Sequence, residues 1–519
     1  MAGGLREMRT PRPWPAMIAG ALVTALILAP LGAVALRGGG LARLGPAELS
    51  ALWFTLWQAV VSAGLSCLIA VPVARALHRR RFPGRRALIT ALGAPFILPT
   101  VVAVMGLVAV FGRRGIVNAG LGAAGLPEVS IYGAQGVILA HVFFNLPLAT
   151  RMVLQGWQAI PAERLRLAAS LGMGPGPVQR HLEIPMLRAV LPGAFLAIFL
   201  VCLGSFAIAL ILGGGPRATT LELAIYQAFR FDFDLARAAA LGLTQVALTL
   251  AALGFARLIA RAPGFGAGLD RAPVAGLGTG PGLCAHDTAA ILAAALFLMT
   301  PIALVLIRGL PALPDLPPLI WRASANSLAV ALASTVLTLV LALPLALATP
   351  RHPLAEAAGM LPLAASGLVL GTGLFLLARP FVSPTDLALP LTFVLNAVLS
   401  LPFVLRLLVP EVRNLAADYD RLSNSLGLSG LTRLRRITLP RLARPLGFGA
   451  GLAAAFSMGD LGVIALFGNG DRITLPLALY QLMGAYRMDQ AAAAACLLIA
   501  LSFALFALFD RIGHHAQPR

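Results

Sequence analysis

Twelve predominantly apolar runs, each of about 18 to 26 residues, divide this chain and limit what it can become. About 20 such residues carry a helix across a bilayer, whereas a membrane strand needs only about 9 to 11. Lipid offers no water to the backbone, so a spanning segment must satisfy its own N–H and C=O groups, and a helix does this within one segment. The runs lie at about 16–36, 52–77, 87–111, 135–154, 189–212 and 238–259, then 288–307, 324–348, 358–378, 387–408, 446–467 and 491–508. The expected class is therefore an all-α polytopic membrane protein with about 12 transmembrane helices. Composition excludes a string of soluble domains: 59% of the 519 residues are hydrophobic and 12% are charged, against about 25% charged in an ordinary globular chain. The first run follows a head bearing Arg6, Arg9 and Arg12. It is too long for a signal-peptide core and lacks a small-residue cleavage site, so it reads as a retained span.

The fixed positive charge is all arginine. There are 40 Lys+Arg, none of them lysine, against 20 Asp+Glu, a formal net charge of +20. Such an excess raises the question of nucleic acid, but position answers it differently. With the N-terminus inside, the segments on the cytoplasmic side hold 28 arginines and the opposite side 12, the bias that sets membrane topology. Both termini are thus expected in the cytoplasm and no nucleic-acid partner is expected. The cluster Arg79, Arg80, Arg81, Arg85 and Arg86 would face anionic membrane lipid on that side. Four scattered cysteines (Cys67, Cys202, Cys284, Cys496) form no C-x-x-C and support neither a metal site nor a disulfide framework.

The chain repeats itself. A shift of 255 residues brings Pro147 onto Pro402, Arg151 onto Arg406, Gly172 onto Gly427, Arg180 onto Arg435, Pro185 onto Pro440, Gly204 onto Gly459 and Asp234 onto Asp489. Coincident Leu and Ala mean little in so apolar a chain, but one register across Pro, Gly, Arg and Asp implies two parallel six-span halves, as in duplicated transporters. The expected organisation is a head and first span (1–50), a first transmembrane domain (51–260), a Pro/Gly-rich cytoplasmic linker (261–287), a seventh span with its outer loop (288–322), a second transmembrane domain (323–509) and a cytoplasmic tail (510–519).

The longest cytoplasmic loops within the halves carry the matched residues. One reads R-L-A-A-S-L-G from Arg166 to Gly172 and H-L-E-I-P from His181 to Pro185; the other reads R-L-S-N-S-L-G from Arg421 to Gly427 and R-I-T-L-P from Arg436 to Pro440. Gly and Pro stand 13 apart in both, which suits a short helix, a Gly turn and a Pro-started helix. This arrangement resembles the EAA loop of ABC importer permeases: E-A-A, three residues, G, nine residues, then I-x-L-P. Gly172, Leu182, Ile184 and Pro185, and again Gly427, Ile437, Leu439 and Pro440, fit that pattern. The E-A-A triplet is replaced by Arg166, Leu167, Ala168 and by Arg421, Leu422, Ser423, with an acid three residues earlier at Glu163 and Asp418.

The resemblance implies the type I ABC importer permease fold and loops that seat in a dimer of cytoplasmic ATP-binding subunits. No G-x-x-x-x-G-K-[ST] loop can exist without lysine, so no catalysis is expected on this chain, and ATP with its Mg belongs to the partner. Longer stretches, Y-G-A-Q-G-V-I-L-A-H-V-F-F-N-L-P-L-A from Tyr132, L-G-G-G-P-R-A-T-T-L-E-L-A-I-Y-Q from Leu212 and G-D-L-G-V-I-A-L-F-G-N from Gly459, are similar to permeases of thiamine ABC transporters. That implies thiamine or its phosphates as the small-molecule cargo, a periplasmic substrate-binding protein, and the bacterial inner membrane. Ferric-iron ABC permeases share the two-half build, and the residues themselves leave that cargo open. An ion-coupled secondary transporter also fits twelve spans, but such proteins work through intramembrane acids, and Asp460 stands nearly alone. Asp460, His141, Asn145 and Asn396 are the intramembrane polar residues expected on a translocation pathway, with hydrogen bonding between helices as the competing role.

Overall fold

The computed structural model describes residues 14–38, 45–85, 88–89, 97–213, 215, 218–259, 281–428, 430–468, 470 and 472–515. Every regular element among them is helical. In chain order these are α1 (Trp14–Gly38), α2 (Pro46–Arg79), α3 (Thr100–Phe111), α4 (Ile116–Ala123), α5 (Ala134–Gln158), α6 (Ala162–Ser170), α7 (Pro175–Val178), α8 (Ile184–Leu203), α9 (Ala207–Leu212), α10 (Leu221–Arg230) and α11 (Leu235–Ile259). The second half supplies α12 (Pro281–Gly309), α13 (Pro318–Ala348), α14 (Pro353–Met360), α15 (Gly367–Ala378), α16 (Pro384–Ser425), α17 (Gly430–Arg433), α18 (Leu439–Gly459), α19 (Gly462–Phe467), α20 (Leu475–Gly484) and α21 (Met488–His515). Among the described residues eleven helical segments are long and apolar enough to cross a membrane, and a twelfth is added if the pair Pro353–Ala364 and Gly367–Ala378, bent by 94°, forms one span. The protein is therefore an all-α polytopic membrane protein. The run expected at 87–111 appears as α3 and α4, which pass together as one span, Thr100–Ala123; residues 86–87 and 90–96 lie outside the described residues, as does most of the linker.

Helix starts and bends follow the prolines. Pro46 and Pro318 open α2 and α13 at the first turn, where the missing N–H costs nothing because that turn has no intrahelical acceptor anyway. Pro72 and Pro344 sit 26 residues further on in each, inside apolar helix whose neighbours tolerate the interruption. The duplication thus extends to the second span of each half. It reaches the short helices too: the Leu221 N–H at the start of α10 donates to Thr55 Oγ1 (2.9 Å), and the Leu475 N–H at the start of α20 donates to Ser327 Oγ (2.8 Å). In each half a hydroxyl on the long second span satisfies one of the donors that a helix N-terminus leaves unpaired.

The chain forms two compact units that do not follow a single cut. One contains α2 through Ala224 together with the C-terminal part of α11 and α12; the other contains α1, the stretch Ile225–Val246 and everything from Leu313 onward. Each half's first span therefore packs in the unit built mainly from the other half. In the first unit Ala59, Ala63, Cys67, Ala70, Leu146 and Ile198 form the core. In the second, Ala19 and Val23 of α1 join Leu341, Leu345, Leu401, Leu405 and Leu408.

Both exchanged helices are held by the same contact. α12 crosses α3 where the Pro301 carbonyl meets Gly106; a Cβ there would lie 2.7 Å from that oxygen. α1 meets α15 in the same way, and a Cβ on Gly373 would fall on the Pro30 carbonyl. Lipid tails are as apolar as leucine, so such helices associate through close packing of small residues rather than through the hydrophobic effect. Gly106→Ala and Gly373→Ala should each destabilise the detergent-solubilised protein by about 1–3 kcal/mol through overpacking. Gly64→Ala, where the added methyl meets nothing within 4 Å, should be near neutral; equal melting temperatures for all three would refute the contact.

Candidate coupling turns and buried polar residues

The two Gly turns fold alike from different approaches. In the first half Pro161 ends the preceding helix and caps α6, which turns Ala162, Leu165 and Ala168 inward. The second half has Ala416 at the matching position, and α16 runs unbroken for 42 residues to Ser425. The paths then converge. Gly172 has φ +63° and Gly427 φ +64°, the left-handed conformation that costs an L-residue about 1–2 kcal/mol. Met173 N–H donates to the Ala168 carbonyl (2.9 Å), and Leu428 N–H to that of Ser423 (2.8 Å). These are the six-to-one bonds of a Schellman ending.

Past each turn the chain forms a five-residue π segment, Gln179–Glu183 and Leu434–Thr438, again 255 residues apart. The cause is the proline two residues beyond. Pro185 and Pro440 lack an N–H and crowd the carbonyl four residues back, so the ladder widens: Ile184 N–H reaches the Gln179 carbonyl and Leu439 N–H that of Leu434. Single π turns of this kind occur disproportionately at functional sites. The Gly and Pro of the sequence motif thus have separate jobs, one reversing the chain and the other re-aiming it.

Ion pairs anchor each turn, but not at the same place. Glu183 binds Arg75 at 2.8 Å and Arg79 at 3.2 Å, with the Glu183 and Arg79 side chains each only 10% exposed. Arg75 also donates to Gln179 Oε1 at 3.2 Å. The π segment is thereby tied to the end of α2. In the second half Thr438 occupies the Glu183 position and cannot repeat this. There Asp420, near the end of α16, pairs with Arg351 at 3.3 Å and with Arg433 across the turn. Nearby, Arg80 pairs with the buried Asp287 of α12 at 2.8 Å, and Arg85 donates to the Leu77 carbonyl at 2.8 Å. Three arginines of the cluster expected to face lipid are thus engaged within the protein.

Of the other candidate residues in these turns, Glu163 is half-buried with Oε1 enclosed. Arg166, Asp418 and Arg421 are exposed. In the sequence Glu183 is one letter of H-L-E-I-P and Asp420 belongs to no motif, because the partners that tie them to the second spans, Arg79 and Arg351, lie 104 and 69 residues away.

The intramembrane candidates fall into two groups. In one unit His141 Nδ1 lies 3.5 Å from Ser62 Oγ, and Asn145 Nδ2 donates to the His141 carbonyl (2.8 Å) and to Cys202 Sγ (3.4 Å). In the other unit Asn396 Nδ2 donates to Ser457 Oγ at 3.1 Å. The two sets share the 255-residue register, His141 with Asn396 and Cys202 with Ser457. Asp460 follows the end of α18, and its Oδ1 accepts the Gly462 N–H (3.1 Å) at the start of α19, while Oδ2 is enclosed without a partner among the described residues. Thus Asp460 bridges a broken helix, and Ser205 stands at its position in the first half. No group of three or more His, Cys, Asp or Glu that could hold a metal occurs among the described residues.

Helices exchanged between two repeated six-span halves, each with a Gly–Pro turn, define the class: a multi-pass transport permease of the inner membrane. The family model described as the binding-protein-dependent transport system inner membrane component matches residues 319–518. The chain is 41% identical over 490 residues to the thiamine transport system permease protein ThiP of Salmonella typhimurium, covering 90% of each chain. It is also 41% identical over 483 residues to that of Escherichia coli, covering 89% of each. Against the Brucella abortus protein of the same name it is 40% identical over 516 residues, covering 95% of each. The chain belongs to this family of thiamine transport system permease proteins.

Gly172→Val and Gly427→Val should each strain their turn by about 2 kcal/mol or more, because a β-branched side chain is an outlier at positive φ. Amide hydrogen exchange should speed up in the turn and π segment and stay unchanged in the spans. Gly174→Val, at an open position without positive φ, is the control; unchanged protection in both turn variants would refute the assignment.

Proposed function

We propose that this chain is the membrane subunit of an ATP-driven importer that carries thiamine, or its phosphates, inward across the inner membrane. The observation that carries the reading is identity of about 40% with thiamine transport permeases along nine-tenths of the chain. The paired turns support the division of labour. ATP and Mg are bound and hydrolysed by a separate dimer of cytoplasmic ATPase subunits, and a periplasmic binding protein delivers the cargo. In this reading both termini and both turns face the cytoplasm, in line with the arginine bias. Closure of the ATPase dimer pushes on Gly172–Pro185 and Gly427–Pro440. Glu183 and Asp420 pass that displacement to the spans through Arg75, Arg79 and Arg351, because each pair links a turn to the second-span end of its own half.

Inside the membrane, His141, Asn145, Asn396 and Asp460 line the pathway. A thiazolium cation leaving water gains most from a carboxylate already held in a low-dielectric setting. Asp460 fits this role: one oxygen caps the broken helix and the other is enclosed, with the Asn396 side chain beside the carboxylate.

Proteoliposomes holding the chain, its ATPase and its binding protein should take up thiamine only with ATP. Uptake driven by an ion gradient without the ATPase, or transport of ferric complexes in preference to thiamine, would refute the reading. Asp460→Asn retains the capping acceptor and removes the charge. It should leave the fold and basal ATPase rate unaltered and lower thiamine transport at least tenfold, about 1.4 kcal/mol; wild-type transport would confine Asp460 to its capping role.

A further inference from the structure

Each Gly turn displays two leucines that nothing among the described residues covers. Leu167 and Leu171 are 60% and 68% exposed, and at the 255-residue shift Leu422 and Leu426 are 49% and 63% exposed. Residues four apart lie on one helix face, so each pair is a short apolar ridge. The inward face of α6 is already filled by Ala162, Leu165 and Ala168, and the ridge is therefore surplus to the fold. One exposed leucine needs no explanation. Four in two symmetry-related pairs mark a contact surface.

The exposed charge around these ridges is predominantly positive. Arg166 and Arg421 are exposed immediately before Leu167 and Leu422. Beyond the first turn a cleft of about 550 Å³ is lined by Gln179, Arg180, His181 and Arg188; beyond the second, Arg435, Arg436, Arg441 and Arg444 are exposed. The acids that could offset them are engaged elsewhere. Glu183 is held by Arg75 and Arg79, and Asp420 by Arg351 and Arg433. Glu163 has an oxygen enclosed in the protein. Asp418 is the one exposed carboxylate among the described residues of the two turns.

We infer that the ATPase subunits receive these turns in a groove with an apolar floor, which takes the paired leucines, and an acidic rim, which faces Arg166 and Arg421. The inference rests on the coupling role proposed above and adds the chemistry of the partner. An EAA-type loop carrying its glutamate calls for a basic rim. Here both copies carry arginine at that position, so the required sign is inverted twice. A groove with a basic rim meets like charge at both turns, and repulsion of that kind excludes wrong partners more strongly than a lost attraction does. The chain is thereby matched to its own ATPase and closed to those of EAA-type permeases.

The test measures association of the nanodisc-embedded chain with its cognate ATPase, and the ATP hydrolysis that follows. Three variants are compared: Arg166→Glu with Arg421→Glu, the conservative Arg166→Lys with Arg421→Lys, and Leu171→Asp with Leu426→Asp. The Glu pair should weaken binding about 100-fold at low salt, roughly tenfold per reversed charge. The Lys pair should bind within a few-fold of wild type, and added salt should weaken wild type more than the Glu pair. Carboxylate-to-lysine changes on the ATPase groove should restore the Glu variant. If the Leu variant loses binding while the Glu pair binds as well as wild type, the acidic rim is wrong and the coupling role stands. If neither variant alters binding, the turns are not where the ATPase docks, and the coupling role fails as well. If the effect of the Glu pair disappears in nanodiscs free of anionic lipid, the arginines serve the membrane surface and the inference is overturned.

Discussion

Backbone hydrogen bonding in lipid governs this molecule. A polar group left unpaired in hydrocarbon costs several kcal/mol, so helix can be interrupted only where another group takes over. Each interruption described above has such a group. Thr55 and Ser327 receive the first N–H of α10 and α20. Asp460 receives the Gly462 N–H between α18 and α19. Where the turns join the spans, at Pro185 and Pro440, the ladder is likewise rerouted through a π turn rather than broken. Thr55, Ser327 and Asp460 thus keep a discontinuous backbone hydrogen-bonded.

The two halves show which features duplication has held fixed and which it has released. Turn conformation, π register and the proline-to-glycine seat of the exchanged helix are the same in both. Those are backbone solutions with few alternatives. The ion-pair anchors have moved from Glu183 to Asp420, and the deep polar pairs have changed from His141 and Cys202 to Asn396 and Ser457. Charges can bind the same two segments from several positions, whereas a left-handed turn admits glycine and little else. The helix breaks follow the same division, with Asp460 in one half and Ser205 at the matching position of the other.

Much of this was legible in the sequence because lipid leaves few options. Apolar run length fixed the helical class, and the 255-residue register located both turns, down to Gly172 and Gly427. What escaped was anything set by partners distant along the chain. The run at 288–307 announces a span but not that α12 packs with the first half, since its small-residue contact at Gly106 is made 195 residues away. Glu183 reads as one letter of a motif until Arg75 and Arg79 are brought beside it. Asp460 was recognisable as a costly residue, but its capping of α19 required knowing that the helix stops at Gly459. The π segments had a local signal, the proline itself, but a proline there is equally compatible with a plain helix start.

In the proposed cycle the two turns move the spans when ATP binds on a partner. Ser170 and Ser425, matched exposed positions just before the turns, offer the direct readout. Spin labels at both sites, with the exposed native Cys284 replaced, would report the distance between the turns by pulsed electron resonance in the nanodisc complex with the ATPase. The account predicts that ATP with Mg shifts that distance by several ångström and that hydrolysis reverses it. An unchanged distance distribution in a complex that is turning over ATP would contradict it.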